Sequence, residues 1–233
     1  MTASILLPII INNRQCVALF CFKLMSSGIV IVDYGAGNLR SVINALRTLG
    51  YEPEVGSNPR QIALAPVVIL PGVGAGGAAM EELEEFNLID MLRQRVSQKL
   101  PLLGVCLGLQ LLMTATEEGG LVPCLGIVPG MAKKLPEEGK IPHMGWNQVK
   151  QVESHPIFEG IPDNSNFYFV HSYYAEPEDS SVVVGTTDYG VNFCSVLASG
   201  NLIATQFHPE KSGAMGLRFY DNFIKLALGG QAC

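Results

Sequence analysis

The chain has 233 residues, 48% hydrophobic and 15% charged, with a formal net charge of −6. That length and apolar share suit one globular domain with a sizeable core. Lys133-Lys134 is the densest cationic spot, which excludes the clustered basic groove that a nucleic acid requires.

The chain opens on MTASILLPIIINNRQCVALFCFKL, in which NNRQ splits two short apolar runs. Neither run approaches the roughly 20 apolar residues of a membrane span. The start has no Lys or Arg before the first run and no small-residue cleavage site. Residues 1–24 are therefore expected to be an extension outside the fold, with residues 25–233 as the domain and no membrane partner. Six cysteines stand at positions 16, 21, 106, 124, 194 and 233, with no CxxC pair and no His at zinc-finger spacing. Nothing calls for a metal or a cofactor, and reduced thiols in a cytoplasmic protein are expected.

GIVIVDYGAGN predicts a buried strand over Ile29 to Asp33 that ends in a glycine-bearing loop. NLRSVINALRTLG places Leu39, Val42, Ile43, Leu46 and Leu49 on one helical face, with Asn38 as N-cap and Gly50 as terminator. PVVILPGVG predicts a second buried strand, Val67 to Leu70, running into another glycine loop. A helical stretch follows, interrupted near Asn87, with Leu88, Ile89, Leu92 and Val96 facing inward. LPLLGV is a third strand, and Leu109 to Thr116 a third helix. Strands alternating with helices predict a mostly parallel sheet covered on both faces. From about residue 121 the segments NQVKQV, NFYFVHSYYA, SVVVGTT, FCSVLA and LIATQF predict short antiparallel strands added at one sheet edge. A helix from about Ala214 to Leu228 follows.

Function in an open α/β sheet collects at the carboxyl ends of the strands. Cys106 sits at such an end, in Gly104-Val105-Cys106-Leu107-Gly108. This is the G-x-nucleophile-x-G pattern of a sharp strand-to-helix turn, with sulfur in place of a serine oxygen. Flanking glycines permit the strained backbone and close chain approach, and the following helix dipole favours thiolate. The other five cysteines read as packing residues. His208 is the best candidate for a proton shuttle. LIATQFHPE brings it to the end of a strand, and continued extension would project His208 and Glu210 to one side, so that the carboxylate steadies the imidazole. His155 belongs to a turn, while His143 and His171 lie among aromatic residues and read as site lining.

With GVCLGLQ as the elbow and HPE supplying base and carboxylate, the chain resembles the class I (triad) glutamine amidotransferases from about Ile29 to the last helix. DYGAGNLRSV, LPGVGA, PHMGWN, FYFVHSY and HPEKS are most similar to the glutaminase subunits of imidazole glycerol phosphate synthases. Anthranilate and aminodeoxychorismate relatives typically carry PGPG and CLGHQ where this chain has PGVG and CLGLQ. The resemblance implies a flavodoxin-like α/β fold and hydrolysis of glutamine through a Cys106 thioester, with His208 and Glu210 completing the triad. It further implies an oxyanion hole from the backbone N–H groups of Val73 and Leu107; the glycines of Gly72-Val73-Gly74 make a flip of that peptide cheap, with a plain tight turn after the strand as the alternative. Glutamine would be held by Gly74, Gln110 and the backbone of His171, Ser172 and Tyr173. The implied partner is a (β/α)8-barrel cyclase in a heterodimer that makes imidazole glycerol phosphate and aminoimidazole carboxamide ribotide in histidine biosynthesis. Lys211, Trp146 and Tyr168 would meet it. An amidotransferase subunit of another synthase, a peptidase or deglycase of related fold, and a catalytically silent binding module are the alternatives.

Overall fold

The computed structural model describes residues 28–35, 38–137 and 140–229. The extension expected over residues 1–24 lies outside the described residues. The first strand, β1 (Ile29–Val32), is buried on both faces, Ile29 and Ile31 in one core and Val30 and Val32 in the other. An all-apolar run without alternation is what a central parallel strand requires.

Helix α1 (Leu39–Thr48) buries Val42, Ala45 and Leu46. Asn38 does not cap it, contrary to expectation. Its φ of 78° is left-handed, whereas capping needs an extended backbone, and its side chain instead donates to Glu210 at 2.9 Å. Gly50 ends the helical segment at φ 86°, as its sequence position suggests. Strand β2 (Glu54–Gly56) and helix α2 (Pro59–Leu64) have no counterpart in the sequence expectations. Both are short and largely exposed, and the Asn58 cap, which accepts from Arg60 and Gln61, marks the helix start together with Pro59 at the first helical position.

β3 (Val67–Leu70) precedes α3 (Gly76–Glu85) and α4 (Ile89–Ser97), which are separated at Asn87 by a left-handed φ of 56°. β4 (Leu102–Val105) runs into α5 (Leu107–Leu111). The helix expected over Leu109 to Thr116 is thus displaced and shortened. Ala115–Thr116 form strand β5, because Thr114 and the residues after it take their hydrogen bonds from Gly130, Cys124 and neighbouring chain rather than from a helical turn. The remaining strands are β6 (Val122–Pro123), β7 (Gly130–Lys134), β8 (His143–Gln151), β9 (Ser165–His171), β10 (Tyr173–Pro177), β11 (Val183–Asp188), β12 (Asn192–Ser199) and β13 (Leu202–Thr205), followed by α6 (Gly213–Gly229).

The large sheet has the order β2-β1-β3-β4-β13-β12-β11-β8-β9. Its first five strands are parallel and the rest pair antiparallel, so the α/β architecture with antiparallel additions at one edge holds. Part of the antiparallel region departs from that edge and makes a separate sheet, β10-β7-β5-β6. Helices α1 and α6 pack on one face of the parallel strands, and α2 to α5 on the other. Among the described residues no helix is long and apolar enough to cross a membrane.

Arg95 anchors the amino ends of the central strands. It is 1% exposed and donates to the carbonyls of Pro101, Ile62 and Pro66 at 2.9, 3.0 and 3.1 Å, just before β4 and β3 begin. Burial lowers its pKa to about 10, still well above neutrality. Replacing Arg95 by Met leaves three carbonyls without their donor, and each such loss is costly. Urea unfolding of Arg95→Met should show a loss of about 3 kcal/mol with an unchanged slope; an unaltered midpoint would remove Arg95 from this role.

Candidate active site

The carboxyl ends of β3, β4 and β13, three adjacent strands, deliver residues 71–74, Cys106 and residues 206–210 to one place. Cys106 has φ 54° and ψ −106°, a strained conformation for a residue with a side chain. The cause lies two residues on. A Cβ at Gly108 would collide with the carbonyl oxygen of Leu70, so α5 starts hard against β3 and the chain must turn sharply at Cys106. Gly72 is forced in the same way, since its Cβ would stand 2.6 Å from the Tyr34 hydroxyl and 2.8 Å from the Leu107 Cβ. Tyr34 is itself buried and donates to Pro71 at 2.9 Å, bracing the loop that carries Val73. α5 is only five residues long, so its dipole helps the sulfur less than the expected longer helix would.

His208 keeps an extended backbone, φ −100° and ψ 99°, and its N–H donates to Tyr168 at 2.9 Å. The extension does not persist to Glu210. Pro209–Lys211 form a single 3-10 turn, and this turn brings the carboxylate back to the ring. Nδ1 of His208 lies 2.8 Å from Oε1 of Glu210, with both side chains buried. Glu210 also accepts from Asn38 at 2.9 Å and from Tyr220 at 3.3 Å, so its charge is held from three directions. Burial pushes the His208 imidazole down. The Coulombic pull of Cys106 and Glu210, with the hydrogen bond to Glu210, outweighs burial and lifts the pKa to about 10.

The sulfur of Cys106 is contacted from two sides. Gln206 Nε2 donates to it at 3.6 Å, and Sγ reaches the Val170 carbonyl at 3.8 Å. Nε2 of His208 is buried with no hydrogen-bond partner among the described residues, and Cys106 and His208 line the same cleft of about 380 Å³. Val73, Gly74, Leu107, Gln110, His171, Ser172, Tyr173 and Lys211 line it as well, together with Glu118. Trp146 and Tyr168 lie outside the cleft, opposite each other on β8 and β9 with ring centroids 6.1 Å apart. Trp146 is 57% exposed, and Lys211 Nζ stands 5.9 Å from the Tyr168 ring. The sequence-predicted residues thus gather at one cleft and its rim.

Gln110 is buried. It donates from Nε2 to Tyr173 at 2.7 Å and to Gln206 at 3.2 Å. His171 and His143 are both buried, with pKa values lowered by burial to about 3 and about 4, so both are neutral. The Tyr173 carbonyl 2.9 Å from His171 Nδ1 can only accept, which assigns that proton to Nδ1. His171 Nε2 must then accept from His143 Nδ1 at 3.0 Å, and His143 Nε2 from Asn147 at 3.4 Å. His143 sits one layer behind the cleft, stacked between Tyr189 and Phe169.

Sequence reasoning missed Gln206, Glu118, Tyr34 and the partner of Asn38. For Gln206 a signal existed, since a strand ending at His208 puts residue 206 on the same side as the imidazole. Glu118 had none. It reaches the cleft from the turn after β5 by accepting the N–H of Gly76, the first residue of α3, at 2.6 Å.

The family model for glutamine amidotransferase class-I matches residues 30–226. A protein of Dehalococcoides mccartyi (strain CBDB1) named imidazole glycerol phosphate synthase subunit HisH is 55% identical over 86% of this chain and 98% of its own. The subunit of that name from Moorella thermoacetica is 51% identical over 85% of this chain and 94% of its own. A crystal structure of a glutamine amidotransferase superposes with a TM-score of 0.65 at 21% identity, over 85% of this chain and 98% of that one, a likeness of fold. The chain belongs to the class I glutamine amidotransferases and, within them, to the imidazole glycerol phosphate synthase subunit HisH family.

The charge of Cys106 leads the causes that raise the His208 pKa, and Glu210 follows. Removing either negative partner lowers an imidazole's affinity for its proton. In ring-nitrogen NMR titrations, His208 of Cys106→Ser and of Glu210→Gln should therefore titrate below its wild-type value of about 10. Unchanged titration in both variants would contradict this electrostatic account.

Proposed function

We propose that this chain, as an amidotransferase of the HisH type, hydrolyses glutamine to glutamate and ammonia and hands the ammonia to a cyclase subunit. The observation that carries the chemistry is a buried imidazole, held by Glu210 at 2.8 Å, that shares a cleft with a strained cysteine. The Cys106 sulfur attacks the side-chain amide carbon of glutamine and forms a tetrahedral oxyanion, which the N–H groups of Leu107 and Val73 receive. His208, protonated and steadied by Glu210, gives its Nε2 proton to the departing nitrogen, and ammonia leaves a thioester on Cys106. Water then loses a proton to His208, attacks the thioester, and releases glutamate with the sulfur restored.

The α-groups of glutamine have matching partners. Both protons on Gln110 Nε2 are spent on Tyr173 and Gln206, which leaves its carbonyl oxygen to accept from the α-ammonium. The Glu118 carboxylate in the cleft supplies the opposite charge. Gly74 and the backbone of His171, Ser172 and Tyr173 suit the α-carboxylate.

Ammonia loses nucleophilicity once water protonates it, so the cleft mouth must be covered. Met144 and Trp146, 62% and 57% exposed on the same strand, offer apolar surface beside Lys211 and Tyr168 for a (β/α)8-barrel cyclase in a heterodimer. That cyclase would use the ammonia to make imidazole glycerol phosphate and aminoimidazole carboxamide ribotide in the cytoplasm. Glycines on both sides of Val73 allow its N–H to be switched by docking.

Glutamate release should vanish in Cys106→Ala and fall about 100-fold in Glu210→Gln. A glutamine-like diazo-ketone should modify Cys106, as peptide mass spectrometry would show; modification elsewhere argues for a different nucleophile. Adding the cyclase with its substrate should raise turnover about 100-fold, the size of one oxyanion donor. Equal rates for the isolated and loaded subunit would reject the switch, and stimulation by another synthase's acceptor subunit instead would reassign the partner.

A further inference from the structure

Gln206 lies between the nucleophile and the residue read above as a glutamine contact. It follows β13, is fully buried, and is fixed by its own N–H donating to Ser195 at 3.0 Å. Its side-chain amide is polar at both ends, and both ends are used. Oε1 accepts from Gln110 at 3.2 Å, and Nε2 donates to the Cys106 sulfur at 3.6 Å. The donor order runs one way, from Gln110 through Gln206 to sulfur, because Gln110 spends its other Nε2 proton on the Tyr173 carbonyl at 2.7 Å.

A donor aimed at sulfur favours the charged form over the neutral one. The opposite contact does the reverse, since the Val170 carbonyl 3.8 Å away can only accept from an S–H and repels an anion. Gln206 is the one side-chain amide bonded to the sulfur among the described residues, and the five-residue α5 supplies only a small dipole. Hydrogen bonds to charged groups are the stronger kind, and a buried setting strengthens them further.

We infer that Gln206 is a positioning residue with two separable tasks: its amide nitrogen stabilises the sulfur anion of Cys106, and its amide oxygen locks Gln110 in the orientation that receives glutamine. The inference rests on the glutaminase reading. It adds that substrate docking and nucleophile charge share one buried amide, so that a disturbance of Gln110 is felt at the sulfur.

Two substitutions of similar length separate the tasks. Gln206→Glu keeps an oxygen to accept from Gln110 and loses the donor to sulfur, whereas Gln206→Met loses both. The full chain is treated with iodoacetamide across a pH series, and the Cys106 peptide is followed by mass spectrometry. The same preparations are assayed for glutamine hydrolysis with the cyclase present. In both variants the alkylation profile of Cys106 should move to higher pH, lowering the rate about tenfold on its acid side. KM for glutamine should stay within about twofold of wild type in Gln206→Glu and rise about tenfold in Gln206→Met. Should Gln206→Met fail to fold, Gln206→Leu, which also lacks donor, acceptor and charge, takes its place in both measurements. An alkylation profile that stays in place in a folded variant, whatever its unfolding temperature, overturns the proposal and leaves Gln206 a packing residue. Failure of the underlying reading looks different, because wild type would then release no glutamate, or Cys106→Ala would still release it.

Discussion

The first turn of α5 lies so close to the end of β3 that a single Cβ at position 108 would meet the Leu70 carbonyl. That approach leaves the chain no gradual way from β4 into the helix. The whole change of direction falls on Cys106, whose φ and ψ lie outside the ordinary regions for a residue with a side chain. Strain of this kind persists only where the surroundings over-determine it. Here they do so through β4, bonded on both sides by parallel strands, and through Gly72 and Tyr34 beneath the neighbouring loop. The placement of the buried cysteine against the cleft is a consequence of packing.

Around that fixed sulfur the polar groups fall into two sets with different jobs. His208, Glu210, Asn38 and Tyr220 form a charged set in which a carboxylate with three donors supports an imidazole that holds its proton strongly. His171 and His143 form a neutral set, stripped of charge by burial and wired as donor to acceptor from Asn147 toward Tyr173. Two histidine environments a few residues from one cleft thus give opposite protonation. Only the first of them carries a proton at neutral pH, which sets His208 apart from the histidines packed around the cleft.

The elbow, the His-Pro-Glu segment and the parallel strands were legible because each depends on local pattern: glycines at fixed spacing, a proline after a strand, apolar runs of strand length. The parts that were not legible depend on distant chain. Asn38 reads as a helix cap by position, yet its side chain is claimed by a carboxylate 172 residues away. The segment after Leu111 reads as helix by composition but becomes strand β5 because β7 is there to pair with it. The small second sheet also draws β10 from far along the chain, and no local signal announces which edge a short strand will join. Extension through His208 to Glu210 was the simplest geometry, but proline and a 3-10 turn achieve the same meeting by a different path.

The strand order carries a consequence for how the protein comes into being. β13 lies between β4 and β12 in the middle of the sheet, although it is the last strand among the described residues. The elbow can emerge during synthesis well before His208 and Glu210, which follow this strand. A partly made chain therefore cannot be a partly working enzyme. Completion of the cleft waits on β13, which pairs with β4 on one side and, through its hairpin with β12, joins the antiparallel half of the sheet.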